Sequence, residues 1–253
     1  MKPDASVPFQ TAIARVSLID FSRGVALIAM TVFHFCWDLE LFRILPVGTM
    51  AGPVAIHSAH LIAGTFLVLV GVSLALAHRN EIRWRPFWRR WLMVAGAAAL
   101  ITLATWFAFP EAFIFFGILH SIAVGSILAL AFLRLPVWLT ALTGVATILL
   151  GAYWYTPALD DPWWWWTGLS EFIPTSNDYV PLFPYFGPVL LGVALGRWAI
   201  DKGAMARLAH VEIDAPPARG LRFIGRHSLA YYLLHQPAML AILFIFLKLI
   251  GHI

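Results

Sequence analysis

The chain has 253 residues, of which 61% are hydrophobic and 12% charged, and its mean hydropathy is +0.81. Soluble domains carry about 25% charged residues, so this chain has too few polar side chains to cover a water-facing surface, and a soluble globular domain is excluded. The net charge of +4 is no sign of nucleic-acid binding, because in a membrane protein the location of the charges matters more than their sum. The single cysteine, Cys36, excludes an internal disulfide.

Long apolar runs predict a bundle of membrane-spanning helices. A membrane β-barrel would instead show alternating segments of about ten residues. Candidate spans lie at 17–37, 54–77, 88–109, 112–132, 135–154, 180–199 and 223–249. We therefore expect an all-α polytopic membrane bundle of about seven transmembrane helices, with one domain over residues 1–253. A long aromatic loop at 155–179 and a polar stretch at 200–222 separate the last three spans.

The positions of Lys and Arg predict the orientation. With the N-terminus inside, the outer loops hold only Arg43 and Lys248, Arg23 lies within the first span, and all other Lys and Arg residues are on the inner side. Cytoplasmic loops carry such an excess of basic residues. No small-residue cleavage site follows the first apolar run, so we expect a span rather than a signal peptide. These patterns predict a cytoplasmic N-terminus and an extracytoplasmic C-terminus, and we expect a bacterial inner-membrane protein.

The first span carries four ionisable residues on one face. Asp20 and Arg23 are three residues apart, His34 follows Arg23 by eleven, and Asp38 follows His34 by four. Eleven residues come within about 20° of whole helical turns and place His34 about 16 Å outward of Arg23. Asp38 can then accept a hydrogen bond from one ring nitrogen of His34 and raise its basicity. The alternative is a snorkelling Asp20–Arg23 pair with His34 as a satisfied interior histidine.

Further histidines fall in the outer or middle layer of other spans. His57 and His60 lie at the outer end of the second span, His120 in the outer half of the fourth, and His235 near mid-depth in the last. Imidazole suits zinc and related metals, but no HxxxH pair occurs on one helix, and we expect no metal. Intramembrane ionisable residues mark functional sites by default. A general base backed by a carboxylate is the better interpretation of His34.

Basic and aromatic clusters each have two interpretations. The segment RWRPFWRR at 83–90 and the motif GRH at 225–227 place arginines at the inner mouths of two spans. They fit phosphate groups bidentately, but basic inner loops also set topology and bind anionic lipid heads. The tryptophans at 163–166 form an outer-interface aromatic belt or a platform for an acceptor sugar.

Four segments resemble known transmembrane acyltransferases. DFSRGVALIAMTVFH at 20–34 is similar to the first-span motif of the acyltransferase 3 family, in which a His follows an Arg-Gly pair eleven residues after the Arg. FLVLVGVSLAL at 66–76 and FGILHSIAV at 116–124 resemble the heparan-α-glucosaminide N-acetyltransferase branch. IGRHSLAYYLLHQP at 224–237 resembles the last span of both.

The resemblance implies a cytosolic acyl-coenzyme A donor, by the family's habit acetyl-coenzyme A, and an acceptor on the outer face. It carries His34 over as the catalytic histidine and Arg23 as its motif partner, and it places Arg85, Arg89 and Arg90 near the arginine pair that the acyltransferase 3 family keeps before its third span. It does not identify the acceptor.

We therefore expect a membrane acyltransferase that modifies an amine or hydroxyl of an extracytoplasmic glycan or glycolipid. The expected catalytic residues are His34, Asp38, His120 and His235. The expected coenzyme A-binding residues are Arg23, Arg85, Arg89, Arg90 and Arg226. The expected partners are membrane lipids and the acceptor, without nucleic acid, and a homodimer stays open. The alternative is a small proton-coupled transporter that uses the same histidines as a relay.

Overall fold

The computed structural model describes residues 16–211 and 214–252. The predicted inner-side residues Lys2 and Arg15 lie outside this part of the chain. The described residues form helices α1 (Ser17–Leu41), α2 (Pro53–Ala77), α3 (Trp84–Ala108), α4 (Ile118–Leu130), α5 (Val137–Tyr153), α6 (Leu182–Asp201), α7 (Ala204–Ala209), α8 (Pro216–Arg226) and α9 (Ser228–Leu249). The expected all-helical class is confirmed for the described residues.

Five of the described helices are long and apolar enough to cross a membrane, namely α1, α2, α3, α6 and α9. Helices α4 and α5 are also apolar but have only 13 and 17 residues. A 13-residue helix is about 20 Å long, which is shorter than the hydrocarbon core of about 30 Å. The chain is thus a helical membrane protein, while the count of seven spans and the orientation stay predictions.

The predicted fourth span, 112–132, begins too early. Residues 113–117 are not helical, because a short 3-10 turn at Pro110–Ala112 is followed by extended backbone. Ala112 accepts a backbone hydrogen bond from Asn177 at 2.9 Å, and Phe116 accepts one from Val180 at 3.0 Å. This apolar stretch therefore bonds to the loop before α6 instead of joining the helix, a tertiary interaction that its composition does not reveal.

The polar stretch at 200–222 was predicted as a connection but contains α7 and most of α8. Proline at the first turn of α8 suits a helix start, because the missing N–H would have no partner there. The predicted last span, 223–249, merges the end of α8 with α9. His227 separates them with φ of −105° and ψ of 29°, so the GRH motif lies at a helix break.

Helix α6 is the centre of the bundle and packs mainly against α2 and α5. Leu67 on α2 and Val189, Leu190 and Val193 on α6 are fully buried. The backbones approach closely where Gly71 on α2 faces the carbonyl of Val189. Small residues permit such close packing between membrane helices.

Helices α1 and α8 pack backbone to backbone through two glycines. A Cβ atom at Gly24 would collide with the carbonyl oxygen of Leu221, and one at Gly225 would collide with the carbonyl oxygen of Asp20. These glycines belong to the Arg-Gly pair of the first span and the Gly-Arg pair before the last. Their contact sets the position of Asp20 and Arg23 against Arg226.

Replacing Gly225 by Ala is expected to lower the free energy of unfolding by about 1–3 kcal/mol, because the added methyl group must displace backbone in a packed contact. Gly220→Ala is the matched control, since it lies on the same helix and its Cβ would meet nothing within 4 Å. Thermal unfolding in detergent measures both. A Gly225→Ala variant as stable as Gly220→Ala would contradict the packing argument.

Candidate active site

Two histidines from the first and last long helices meet inside the bundle. His34 on α1 and His235 on α9 share a hydrogen bond of 2.8 Å between Nδ1 of His34 and Nε2 of His235. Their rings lie nearly parallel, with centroids 5.0 Å apart and an angle of 14° between the planes. His235 is buried, and His34 is partly buried. The structure thus joins two of the predicted catalytic residues into one dyad.

The hydrogen bonds of the dyad define its tautomers when both rings are neutral. Nδ1 of His235 lies 2.8 Å from the backbone carbonyl of Tyr232, and a carbonyl only accepts. His235 therefore carries its proton on Nδ1 and accepts on Nε2, so His34 must donate from Nδ1. The remaining nitrogen, Nε2 of His34, is left with a lone pair. This nitrogen has no hydrogen-bond partner among the described residues, and it is not among their fully buried unpaired side-chain atoms.

A tyrosine and a threonine support the dyad about one turn earlier on each helix. The ring of Tyr231 lies parallel to that of His235, at 4° and with centroids 5.9 Å apart. The Thr31 hydroxyl donates to the carbonyl of Leu27 at 2.8 Å, so Tyr231 donates its own hydroxyl proton to Thr31 over 2.8 Å. This second bond between α1 and α9 holds the two histidines in register.

A cluster of charged residues lies near the start of α1. Arg23 donates to Asp20 Oδ1 at 3.2 Å and to the Ser73 hydroxyl at 2.5 Å. Arg226 at the end of α8 lies 3.5 Å from Asp20 Oδ2. Asp20 is only 2% exposed, and a buried carboxylate requires such pairing. The Asp20–Arg23 pair, which the alternative interpretation of the first span expected, is present, and this cluster joins α1, α2 and α8.

The family pattern described as heparan-alpha-glucosaminide N-acetyltransferase, catalytic, matches residues 15–237, which is most of the chain and includes both histidines of the dyad. The chain belongs to this family. The expected resemblance to the heparan-α-glucosaminide N-acetyltransferase branch is therefore confirmed. The members of this family are acetyltransferases. The resemblance to the acyltransferase 3 family stays a prediction. The chain has no significant match among curated proteins or among solved structures.

The predicted partnership of Asp38 with His34 in this acetyltransferase-family chain is wrong. Nδ1 of His34 faces His235, and Asp38 Oδ1 instead accepts from Nε2 of Gln236 at 2.5 Å. The i,i+4 spacing puts His34 and Asp38 on one face, but that face packs against α9, where Gln236 follows His235 directly. Asp38 Oδ2 and Gln236 Oε1 are both buried without a partner in the described part of the chain.

The oxygens of Asp38 and Gln236 that lack a partner among the described residues give a prediction for Asp38. Asp38→Asn is expected to keep stability and transfer within a few-fold, since the amide still accepts from Gln236 and adds a donor for an unpaired acceptor. Asp38→Leu leaves Gln236 unpaired and is expected to cost about 1–3 kcal/mol of unfolding free energy. Thermal unfolding and transfer rates measure both variants. A loss of transfer in Asp38→Asn alone would instead show that the negative charge is required.

His120 lies in a different network from the dyad. Its Nδ1 accepts from the backbone N–H of Gly117 at 3.2 Å, and its Nε2 lies 3.2 Å from the hydroxyl of Thr102. Both nitrogens thus have partners: Nδ1 satisfies the N–H of Gly117 at the start of α4, and Nε2 bonds to a side chain of α3. The predicted catalytic role of His120 has no geometric support in these contacts. No group of three or more His, Cys, Asp or Glu among the described residues is placed to hold a metal.

The predicted coenzyme A-binding arginines divide between two places. Arg23 and Arg226 share Asp20, as described above. Arg85, Arg89 and Arg90 lie on the first turns of α3 and are exposed. Arg90 also lines a cavity of about 140 Å³ between α2, α3 and α4. Their role in binding the donor stays a prediction.

Two residues near the dyad were not predicted as functional. Gln236 is the partner of Asp38, and Tyr232 supplies the carbonyl that orients His235. The Tyr232 hydroxyl also donates to Asp178 Oδ2 at 3.4 Å, and the same oxygen accepts from the backbone N–H of Ile118 at 2.9 Å. Burial raises the pKa of Asp178, and these hydrogen bonds oppose the rise. The HQP end of the last motif was the available signal for Gln236.

The aromatic loop is folded around one carboxylate. Asp160 Oδ1 accepts from the Ser170 hydroxyl at 2.7 Å and from the backbone N–H groups of Glu171 and Phe172. These bonds, chiefly that from Ser170, lower the pKa of Asp160. Within the tryptophan run, Trp163 is 84% exposed while Trp165 donates to the carbonyl of Asp160. Both interpretations of the tryptophans stay open.

Proposed function

We propose that the chain moves an acetyl group from acetyl-coenzyme A to an amine or hydroxyl of a glycan or glycolipid on the extracytoplasmic side of a bacterial inner membrane. The supporting observation is the His34–His235 dyad in a chain of an acetyltransferase family. Its hydrogen bonds leave the Nε2 lone pair of His34 available. A general base needs such a lone pair within reach of the proton it removes.

In the proposed transfer, His34 first accepts and then returns the proton of the acceptor. Nε2 takes the proton from the acceptor N–H or O–H while the acceptor attacks the thioester carbonyl. The carbon–sulfur bond breaks, and the imidazolium returns the proton to the departing thiolate, so the products are the acetylated acceptor and coenzyme A. Alternatively, the same nitrogen attacks the thioester, and the carbon–sulfur bond breaks to release coenzyme A and leave an acyl-histidine. The acceptor then attacks the acetyl carbonyl, the carbon–nitrogen bond to His34 breaks, and the acceptor proton ends on the departing thiolate. Either route requires that Nε2 of His34 is unprotonated. The hydrogen bond from Nδ1 to His235 favours this state, because it keeps the single ring proton on Nδ1.

His235 assists without bonding the substrate. Its Nε2 accepts the Nδ1 proton of His34, so a positive charge that develops on His34 is shared with a neighbouring acceptor. The Tyr232 carbonyl holds His235 in this tautomer. This arrangement resembles in principle the orienting partner of a catalytic histidine in hydrolases.

The test is transfer by the purified full-length chain. Acetyl-coenzyme A labelled in its acetyl group is supplied with acceptors that present a sugar amine or a sugar hydroxyl. Release of free coenzyme A in a one-to-one ratio with acetylated acceptor is the expected result. In proteoliposomes, passage of a labelled solute across the membrane without any acetyl transfer would contradict the proposal and support the transporter.

A further inference from the structure

A second polar site lies at the end of the bundle opposite the aromatic loop. A cavity of about 530 Å³ opens between the end of α2, the turn from α4 to α5 and the end of α6. Small-ligand sites typically measure about 300–1,000 Å³. The polar residues that line it are His78, Arg79, Asn80, Arg134, Arg197 and Asp201. The distribution of basic residues predicts that this end faces the cytoplasm.

The charge of this cavity is positive, with three arginines against one aspartate. Arg197 has a structural task, because it donates to the backbone carbonyls of Phe132 and Leu135. Both carbonyls lie in the turn between α4 and α5, so this arginine ties the end of α6 to that turn. Arg79 and Arg134 are exposed, and neither forms an ion pair within residues 16–211 and 214–252. Two guanidinium groups are therefore available to a ligand.

A histidine with an unpaired ring nitrogen among the described residues also lines the cavity. Nδ1 of His78 lies 2.9 Å from the carbonyl of Leu74, so it donates there and leaves a lone pair on Nε2. That nitrogen is buried and has no partner among the described residues. His78 lines both this cavity and the smaller cavity beside Arg90. The arginines therefore set the chemistry of the cavity, which suits a ligand with anionic groups.

We propose that this cavity binds the phosphate groups of a nucleotide, with Arg79 and Arg134 as the phosphate-binding residues. Guanidinium groups bind phosphate oxygens bidentately. A nucleotide also matches the volume of about 530 Å³, whereas inorganic phosphate fills only part of it. Coenzyme A, with its adenosine 3′,5′-bisphosphate end, is the nucleotide that the proposed function supplies, and this choice rests on that function. The site is separate from Arg85 and Arg89 on α3.

The test measures binding without turnover. Adenosine 3′,5′-bisphosphate is titrated calorimetrically into the detergent-purified full chain. The double variant Arg79→Gln/Arg134→Gln is expected to bind at least about tenfold more weakly, because two charge-assisted hydrogen-bond donors are lost. Arg219→Gln is the matched control, since Arg219 is an arginine of the same predicted side, pairs with Asp214 at 3.1 Å and does not line the cavity. Thermal unfolding confirms that the variants fold.

Two comparisons separate the possible sources of phosphate. Inorganic phosphate is expected to bind more weakly than the bisphosphate, and nanodiscs with phosphatidylglycerol are expected to leave nucleotide binding intact. Equal binding of inorganic phosphate, or displacement of the nucleotide by the anionic lipid, would overturn the nucleotide assignment. Nucleotide binding of equal affinity in the wild-type chain and the double variant would also overturn it. Acetyl transfer with unchanged nucleotide affinity in the double variant would reject this site but leave the proposed function standing.

Discussion

Replacing His34 by Gln is expected to lower the rate of acetyl transfer by about 10²- to 10⁴-fold, the range that a positioned general base contributes. The amide can still donate to Nε2 of His235, which keeps the contact between α1 and α9. It lacks the basic nitrogen, so proton removal from the acceptor fails. Initial rates of coenzyme A release, with acetylated acceptor counted in parallel, measure the effect.

His57→Gln is the matched control for this experiment. His57 is an exposed histidine on α2, and its Nδ1 lies 2.6 Å from the carbonyl of Pro53 in its own helix. It is expected to transfer at the wild-type rate. Full activity in His34→Gln would remove His34 from the mechanism. Acetyl label that stays on the wild-type chain but not on His34→Gln would identify attack by Nε2 itself.

Replacing His235 by Leu is expected to lower the turnover number by about 10- to 100-fold, with little change in KM for either substrate. Orienting partners of metal-bound histidines have effects of this size, and His235 plays the comparable part here. Without its acceptor, the proton of His34 moves freely between the two ring nitrogens. Part of the population then holds Nε2 protonated and inactive. Steady-state kinetics measures the turnover number and KM separately.

His235→Gln is the variant that separates orientation from packing. Its amide oxygen can accept from Nδ1 of His34, so it is expected to recover activity relative to His235→Leu. The double variant His34→Gln/His235→Leu is expected to lose little more than His34→Gln alone, because residues that act as one unit are non-additive. Additive losses, or no recovery in His235→Gln, would show that His235 acts only as a packing residue.

The sequence predicted the first span's polar residues well but not all their partners. Arg23 and His34 lie on one helix, as predicted, and their eleven-residue spacing in an α-helix predicts that they share one face. The partner of His34 depends on the helix that packs against it, and His235 is 201 residues away in sequence. Local spacing therefore favoured Asp38 as the partner of His34, whereas in the packed structure Asp38 accepts a hydrogen bond from Gln236 on α9.

The inner arginines illustrate the same limit. A cluster such as RWRPFWRR stands out in the sequence because its charges are contiguous. The cavity arginines Arg79, Arg134 and Arg197 come from three separate connections and helix ends, so their approach is invisible until α2, α4 and α6 are packed. Contiguity in sequence and convergence in space are different properties, and only the second makes a binding cavity.

The sequence by itself determined the class of molecule. Apolar runs require helices in lipid because backbone groups there must bond within the segment. The segments at 66–76, 116–124 and 224–237 led to the acetyltransferase family that the family pattern confirms. The tertiary structure decided the dyad, the late start of α4 and the glycine contact between α1 and α8. Each of these depends on contacts between residues far apart in the chain, which local composition and helical periodicity do not encode.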